Sequence, residues 1–391
     1  MAASLEFDPY AYETHEDPYP LYRRLREEAP LYRNEALGFW ALSRHADVLA
    51  AFRDAEHFSN RHGVSLDADA FHDRADTTMS FLAMDPPRHT RMRALVSRGF
   101  TPRRVAGLEP RVREIAVRAL EACAERGRCD FIADFAGRLP MDVISELLGV
   151  PESDRGQLRA WADQVVHRDE GVQGMPAAAA AAALRILQYF TVLVEERKAR
   201  PRDDLTGALL AAEIDGDRLS EREILGFLFL MIIAGNETTT KLLGNAAYWL
   251  WRNPSQRDKL PARIPGWVEE TLRYDSSTQA LARLVAKDVE VHGRTLRAGE
   301  KCVLLVGSAN RDERAFPDPD RFDVERDTTG MLSFGQGNHF CLGASLARLE
   351  ARVALEELWR RFPHYEIEPG AIARVHSVNV RGFAALPVKL G

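Results

Sequence analysis

The chain has 391 residues, 46% of them apolar and 28% charged, enough apolar material for a large buried core and the wrong balance for a disordered or fibrous protein. A formal charge of −6, with basic residues spread along the chain, supplies no polycationic stretch for nucleic acid. The four cysteines, Cys123, Cys129, Cys302 and Cys341, show neither C-x-x-C nor zinc spacing, which argues against a disulfide framework and suits a reducing cytoplasm.

The first ten residues are mildly acidic and lack the charged-then-apolar layout of a signal peptide. The longest uninterrupted apolar run, residues 224–234, has eleven residues, against the ~20 that span a bilayer. No Pro/Gly/Ser-rich linker or composition break divides the chain. The expectation is one domain over residues 1–391, soluble and cytoplasmic, with no membrane or nucleic-acid partner.

In chain order, residues 20–28 read as a short helix with Pro20 in its first turn, residues 38–43 as a strand and residues 45–53 as a helix. Residues 60–84 follow no clean period and read as a long irregular connection, which in a compact domain often carries function. Pro86-Pro87 opens a helix on which His89 and Arg93, four residues apart, share a face. Helical periodicity dominates residues 110–198. Within that span Pro176 and the alanines of 177–183 mark a helix start, after a polar turn at residues 168–174.

Ser220 and Glu223 form a capping box that opens a helix reaching to about Trp251, before Pro254. Its first half is apolar nearly all round, so it reads as a buried central helix. Ala234-Gly235-Asn236-Glu237-Thr238-Thr239 then sets a carboxylate and hydroxyls into that buried stretch. Gly235 weakens the helix and the Thr238 hydroxyl can bond back to the Ala234 carbonyl, an arrangement expected to open the helical ladder into a groove. An acid and an alcohol linked by water make a proton relay.

Glu270 and Arg273 share a helix face at i and i+3. Taken alone such a pair means little, because most are exposed and weak. Asp275-Ser276-Ser277-Thr278-Gln279 follows, and Arg283 begins the spacing Arg-x-x-Ala-x-Asp through Ala286 and Asp288. Residues 289–292, 295–296 and 302–306 read as short strands, with Gly293 and Gly299 as turns. Residues 378–381 and 383–386, around Gly382, read as a terminal hairpin.

Before that hairpin comes Phe334-Gly335-Gln336-Gly337-Asn338-His339-Phe340-Cys341-Leu342-Gly343-Ala344. The glycines let a flat, bulky group press against the backbone. Leu342, Leu346, Leu349 and Val353 repeat at helical spacing and put Cys341 at a helix N-terminus, where free N–H groups and the dipole are expected to lower its thiol pKa. A thiolate beside such a loop suits an iron ligand.

The pattern Phe-Gly-x-Gly-x-His-x-Cys-x-Gly is filled at every fixed position and resembles the haem-binding loop of the cytochrome P450 family. The stretches Ala-Gly-x-Glu-Thr-Thr, Glu-x-x-Arg, Arg-x-x-Ala-x-Asp and His-x-x-x-Arg occur in that family's order. The resemblance implies a mainly α-helical P450-type fold with small β-sheets, and haem b (iron protoporphyrin IX) held by Cys341. It places His89, Arg93, Arg283 and His339 at the haem propionates, with Ala234, Phe334, Gly335 and Gly343 around the ring. It makes Glu237 a proton relay and Thr238 a hydrogen-bond donor toward dioxygen. Glu270 and Arg273 become a structural lock whose third member is Arg321 or Arg326, between which the sequence does not choose.

Phe81, Leu82, Ile233, Ser277, Val378 and Asn379 are the candidate substrate contacts, together with a lid near residues 168–174. The family usually carries a proline near the position of Ser277, so the backbone beside the pocket departs from its pattern. The implied activity inserts one atom of dioxygen into a C–H or C=C bond of a hydrophobic small molecule such as a steroid, terpenoid, fatty acid or polyketide. No flavin or iron–sulfur motif occurs, so electrons are expected from a ferredoxin and its NAD(P)H-dependent reductase, docked near Cys341 through Arg91, Arg103, Arg104 and Arg352. Two other readings are a peroxide-driven haem-thiolate enzyme and a non-catalytic haem sensor. Neither has an evident need for the Glu237–Thr238 pair.

Overall fold

A computed structural model describes residues 5–67, 70–98, 100–166 and 176–390. Its helices begin and end close to their sequence signals. Tyr19–Glu28 and His45–Arg53 form around the strand Phe39–Leu42, and Ala177–Ala199 starts directly after Pro176. The capping box forms: Ser220 Oγ accepts from the Glu223 amide, and the Glu223 carboxylate accepts from the Ser220 amide at 2.8 Å. From there the central helix runs unbroken over Glu221–Arg252. The groove expected at Gly235 therefore does not interrupt it, because the Thr238 bond to Ala234 O, 3.2 Å, adds to the helical ladder without replacing a rung.

The central helix is the axis of the fold. Arg138–Leu148, Ala177–Ala199, Ile264–Tyr274 and Ala344–Arg361 pack around it, and Phe227, Leu228, Ile232, Leu243 and Ala246 on it are almost wholly buried. Ala177–Ala199 is, by length and composition, apolar enough to cross a membrane, although Arg185 interrupts its apolar run. In the fold it turns Ala179, Ala182, Ile186, Phe190 and Val194 into the core and leaves Leu184 and Val192 exposed. The turn expected at residues 168–174 lies outside the described residues.

Five strands form the largest sheet, in the order Leu31–Asn34, Phe39–Leu42, Lys301–Leu304, Leu281–Val285, Phe58–Ser59. Lys301–Leu304 runs parallel to Phe39–Leu42, and the other pairs are antiparallel. The register sets Arg283 opposite Cys302 and fixes this arginine within the sheet. Val289–Val291 and Arg294–Leu296 make the expected small hairpin.

The terminal hairpin differs from its expectation. Phe383–Ala385 pairs with Ala373–Arg374, not with residues 378–381, and the Val375 amide donates to the Gly382 carbonyl across the loop between them. Gly382 thus closes a long loop. A Cβ there would meet the Lys241 side chain at 2.6 Å, so this glycine makes room for a neighbour. Val380 bridges to Thr278 instead.

Candidate active site

The elements meet around a cavity of about 790 Å³, whose wall includes Cys341, the 233–239 stretch of the central helix, Arg283, and residues 375–380. Cys341 sits three residues before the helix Ala344–Arg361, with its amide donating to the Phe334 carbonyl at 2.9 Å. Gly335 and Gly337 both lie at φ +68°, which lets the loop fold back beneath the cavity. Cys341 is free, opens toward the cavity and is otherwise enclosed by protein.

Enclosure changes the thiol's chemistry from what a helix N-terminus predicts. Burial pushes the Cys341 pKa up, while the Gly343 amide, Arg93 and Arg348 pull it down without prevailing. The thiolate therefore has to be won by a metal that displaces the proton.

Beside this sulfur lie several polar groups with no partner in the protein. The rings of His89 and His339 stand 4.1 Å apart, and no ring nitrogen of either meets hydrogen-bond geometry with a protein group. The Met84 carbonyl is close enough to favour the charged form of His339 without being aligned to it. Burial, then Arg93, lowers His89 to about 4. Burial, then His89, Arg283 and Arg93, lowers His339 to about 2. Arg93 reaches the Phe340 carbonyl at 2.6 Å, yet one of its amino nitrogens is unpaired. Arg283 is 3% exposed, bonds only to the Ala282 carbonyl, and is lowered by burial to about 10. A buried guanidinium, Arg283, and a half-buried one, Arg93, with no carboxylate bonded to either call for anionic partners. The carboxylates of a dianionic porphyrin would meet that need, and the cysteine would ligate its metal. His89 lies behind His339, against Phe81 and off the cavity wall.

Across the cavity, Glu237 and Thr238 line the wall as expected. The sequence did not announce Lys241: one helical turn on, buried at 5%, it holds Glu237 Oε1 at 2.9 Å. Thr238 spends its one hydroxyl proton on Ala234 O, so it must rotate before it can donate into the cavity. Glu350, on the helix after Cys341, also reaches the wall. Its Oε2 has no partner and burial raises its pKa to about 8. Phe81, Leu82, Ile233, Ala234, Ser277, Val378 and Asn379 all line the cavity. Asn379 uses its amide N–H groups on the Val64 and Ala280 carbonyls, which makes it a tether of the wall.

The lock beneath the loop is buried. Glu270 and Arg273 are both 0% exposed and joined by two bonds of 2.7 and 2.8 Å. Arg326 is the third member, its Nε 3.2 Å from Glu270 Oε1. The Arg321 side chain pairs with Asp323 at the surface and contributes only its carbonyl oxygen to the lock. Among the docking arginines, Arg91 is matched by Asp217 and Glu223, Arg104 by Asp203, and Arg352 by Glu109 and Glu356. Arg103 alone of the four makes no ion pair among the described residues. The expected basic patch is thus largely neutralised by the chain's own carboxylates.

A cysteine-ligated haem site under an acid- and alcohol-bearing helix defines a haem-thiolate oxidoreductase. The sequence model of the cytochrome P450 family matches residues 264–374. The chain is 57% identical over 390 residues to a protein named putative cytochrome P450 123 from Mycobacterium tuberculosis, covering 99% of this chain and 97% of that one. It is 42% identical over 388 residues to the vitamin D(3) 25-hydroxylase of Pseudonocardia autotrophica, covering 96% and 94%. The crystal structure of CYP109E1 from Bacillus megaterium in complex with testosterone superposes with a TM-score of 0.86 at 34% identity, over 96% of this chain and 99% of that one. The chain belongs to the cytochrome P450 family, and its cofactor is haem b. It is a monooxygenase acting on a hydrophobic substrate and dioxygen.

Proposed function

We propose that this monooxygenase hydroxylates an apolar molecule of the steroid, terpenoid, fatty acid or polyketide kind, with electrons delivered by a separate ferredoxin system. What carries the reading is one cavity that joins Cys341 to Glu237 and Thr238 through a largely apolar wall. Two similar proteins whose names or titles mention vitamin D(3) and testosterone support the substrate kind. Bound haem supplies the oxygen-activating chemistry. The chain's own residues do the rest. Cys341 would hold the iron, and Arg93 and Arg283 would neutralise the propionates, with His339 beside them.

Glu237 passes protons from the Lys241 side of the helix toward the cavity, and Thr238 turns its hydroxyl from Ala234 O to hand them on. Phe81, Leu82, Ile233 and Val378 exclude water and hold the substrate. The balance is one C–H bond and dioxygen, with two electrons and two protons, giving an alcohol and water. Docking on the Cys341 face needs few net positive charges from the chain, since three of the four candidate arginines are matched internally.

Cys341→Ala is expected to abolish the red-shifted carbon monoxide band of the reduced protein. Thr238→Ala should keep that band and divert most dioxygen to peroxide. Turnover should require a ferredoxin, its reductase and NAD(P)H; fast turnover with peroxide alone and none with the ferredoxin system would reverse the reading.

A further inference from the structure

Two cysteines outside the cavity wall come together where the helix Glu109–Ala124 gives way to the strand Arg128–Asp130. Cys123 occupies the last turn of the helix and is 1% exposed. Cys129 lies half-buried on the strand, where it pairs with Val388 of Pro387–Lys389. Between them the chain turns back sharply. The Gly127 amide donates to the Ala124 carbonyl at 2.9 Å, and Gly127 takes φ +68°, the left-handed conformation that ends helices. Helix end and strand thereby pack against each other. The turn itself, residues 124–128, is exposed, so a small oxidant has a short way in.

A charged pair marks the same spot. Arg126 Nη2 stands 3.9 Å from Cys123 Sγ and 3.1 Å from Asp134 Oδ1. Asp134 Oδ2 in turn accepts the amide of Asp130, the neighbour of Cys129, at 3.1 Å. The two sulfurs thus flank one guanidinium–carboxylate pair, and they lie close enough to govern each other's ionisation. Hydrogen bonding from Cys129 is the largest influence on Cys123; against burial and Asp134, and with help from Arg126, it brings that thiol down to about 7. The same bond, with burial, pushes the Cys129 thiol up. One sulfur therefore reaches the thiolate near neutral pH with a thiol beside it, the arrangement of an attacking sulfur and its resolving partner.

We propose that Cys123 and Cys129 form a reversible modification site outside the haem cavity, which hydrogen peroxide closes into an intramolecular disulfide. The Cys123 thiolate attacks one peroxide oxygen: an S–O bond forms, the O–O bond breaks, and hydroxide leaves to take a proton from solvent. The Cys129 sulfur then displaces the sulfenic oxygen, which departs with the Cys129 proton as a second water. Two thiols and one peroxide give one disulfide and two waters, the sulfurs losing the two electrons that peroxide gains. An oxygen-activating enzyme generates this oxidant whenever it releases peroxide in place of product. The bridge would tie the end of Glu109–Ala124 to the strand that holds Pro387–Lys389. A dithiol reductant reopens it, so the site is compatible with a reducing compartment.

The test is peptide mapping of the haem-loaded protein after a single molar equivalent of hydrogen peroxide, with remaining thiols blocked by N-ethylmaleimide in denaturant. Peroxide is added directly, so the outcome is independent of the monooxygenase reaction. Trypsin cuts after Arg118, Arg126, Arg128 and Arg138, which puts the two cysteines on separate peptides, residues 119–126 and 129–138. The expected result is the loss of two blockable thiols and the appearance of those peptides as one disulfide-linked pair, both reversed by dithiothreitol. Cys302, fully buried and pushed up to about 12 by burial, should stay blockable throughout. Cys129→Ser should lose the linked pair and leave Cys123 as a sulfenic acid that dimedone traps. An unmodified Cys123 in that folded variant overturns its role as the attacking sulfur. Recovery of both cysteines as maleimide adducts after peroxide overturns the site, as does a link found only between two molecules. If the variant does not fold, the linked pair in the unaltered protein decides.

Discussion

A charged lysine buried beside an apolar cavity needs an anion to face it. Lys241 meets that condition through Glu237 at 2.9 Å, with the Phe383 carbonyl 3.5 Å away and its stem against Gly382. Lys241→Met should leave the Glu237 carboxylate without its partner and cost about 3 kcal/mol in denaturant unfolding. Lys241→Met/Glu237→Gln should recover most of that loss, because the double change removes both charges. Equal losses in the single and double variants would show that Lys241 contributes packing and no charge pairing. Residue identity announced Cys341, Glu237 and Thr238, since each departs from what its segment otherwise wants. It did not announce Lys241 or Glu350, which read as ordinary polar positions on helices. Their burial depends on which helix face meets the cavity, and that is decided by tertiary packing.

At the level of elements, the lock joins the helix Ile264–Tyr274 to the segment leading into the cysteine loop. Arg273 donates to the Asn310 and Pro319 carbonyls at 2.9 and 3.0 Å, and the Asp323 amide donates to Glu270 at 2.9 Å. Ser333, just before the loop, donates to the Leu272 carbonyl at 2.6 Å. Removing one member of a buried network strands the others. Arg326→Ala should cost about 3 kcal/mol or more and increase haem loss. Arg321→Ala, at an exposed pair, should change stability by less than about 1 kcal/mol. Comparable effects of the two substitutions on haem retention would contradict the placement of Arg326.

Local signals served the elements well where they were strong. The capping box, the Pro176 start and the 289–296 hairpin lie where caps, prolines and alternation put them. The terminal hairpin failed because Gly382 reads as a tight turn but serves to clear Lys241, a constraint set by a residue 141 positions earlier.

Across the whole molecule, charge pairing is a tertiary property, and the docking arginines show it. Spacing along the chain could not reveal that Arg91, Arg104 and Arg352 each meet distant carboxylates. The same long-range pairing gives the molecule its pH limits. Asp275 gathers the N-terminal Tyr19, the central helix's Trp249 and the C-terminal Arg381 within 2.8 to 3.0 Å. Burial would raise its pKa, but Arg381, Arg374 and the donated hydrogen bonds outweigh burial and hold it at about 2, below the ordinary 3.8. A depressed carboxyl stabilises the fold above its unfolded pKa, so about 2 kcal/mol should be present above pH 4 and lost as the pH falls toward 2.

Glu350 acts in the opposite sense. Its folded pKa of about 8 exceeds the ordinary 4.5, so folding holds a proton that the unfolded chain releases. That contribution is complete below pH 4.5 and is lost progressively up to pH 8, amounting to at most about 5 kcal/mol. Glu350→Gln should therefore match the parent protein's thermal midpoint near pH 4.5 and exceed it by a margin that widens to pH 8. Asp275→Asn should lose stability at pH 7 and flatten the acid limb. The check is a series of thermal midpoints between pH 3 and pH 9 on the haem-loaded protein. Curves for Glu350→Gln and the parent that stay parallel over that range would mean that Glu350 ionises in the folded state as freely as in the unfolded chain, and that the cavity wall is wet at that point.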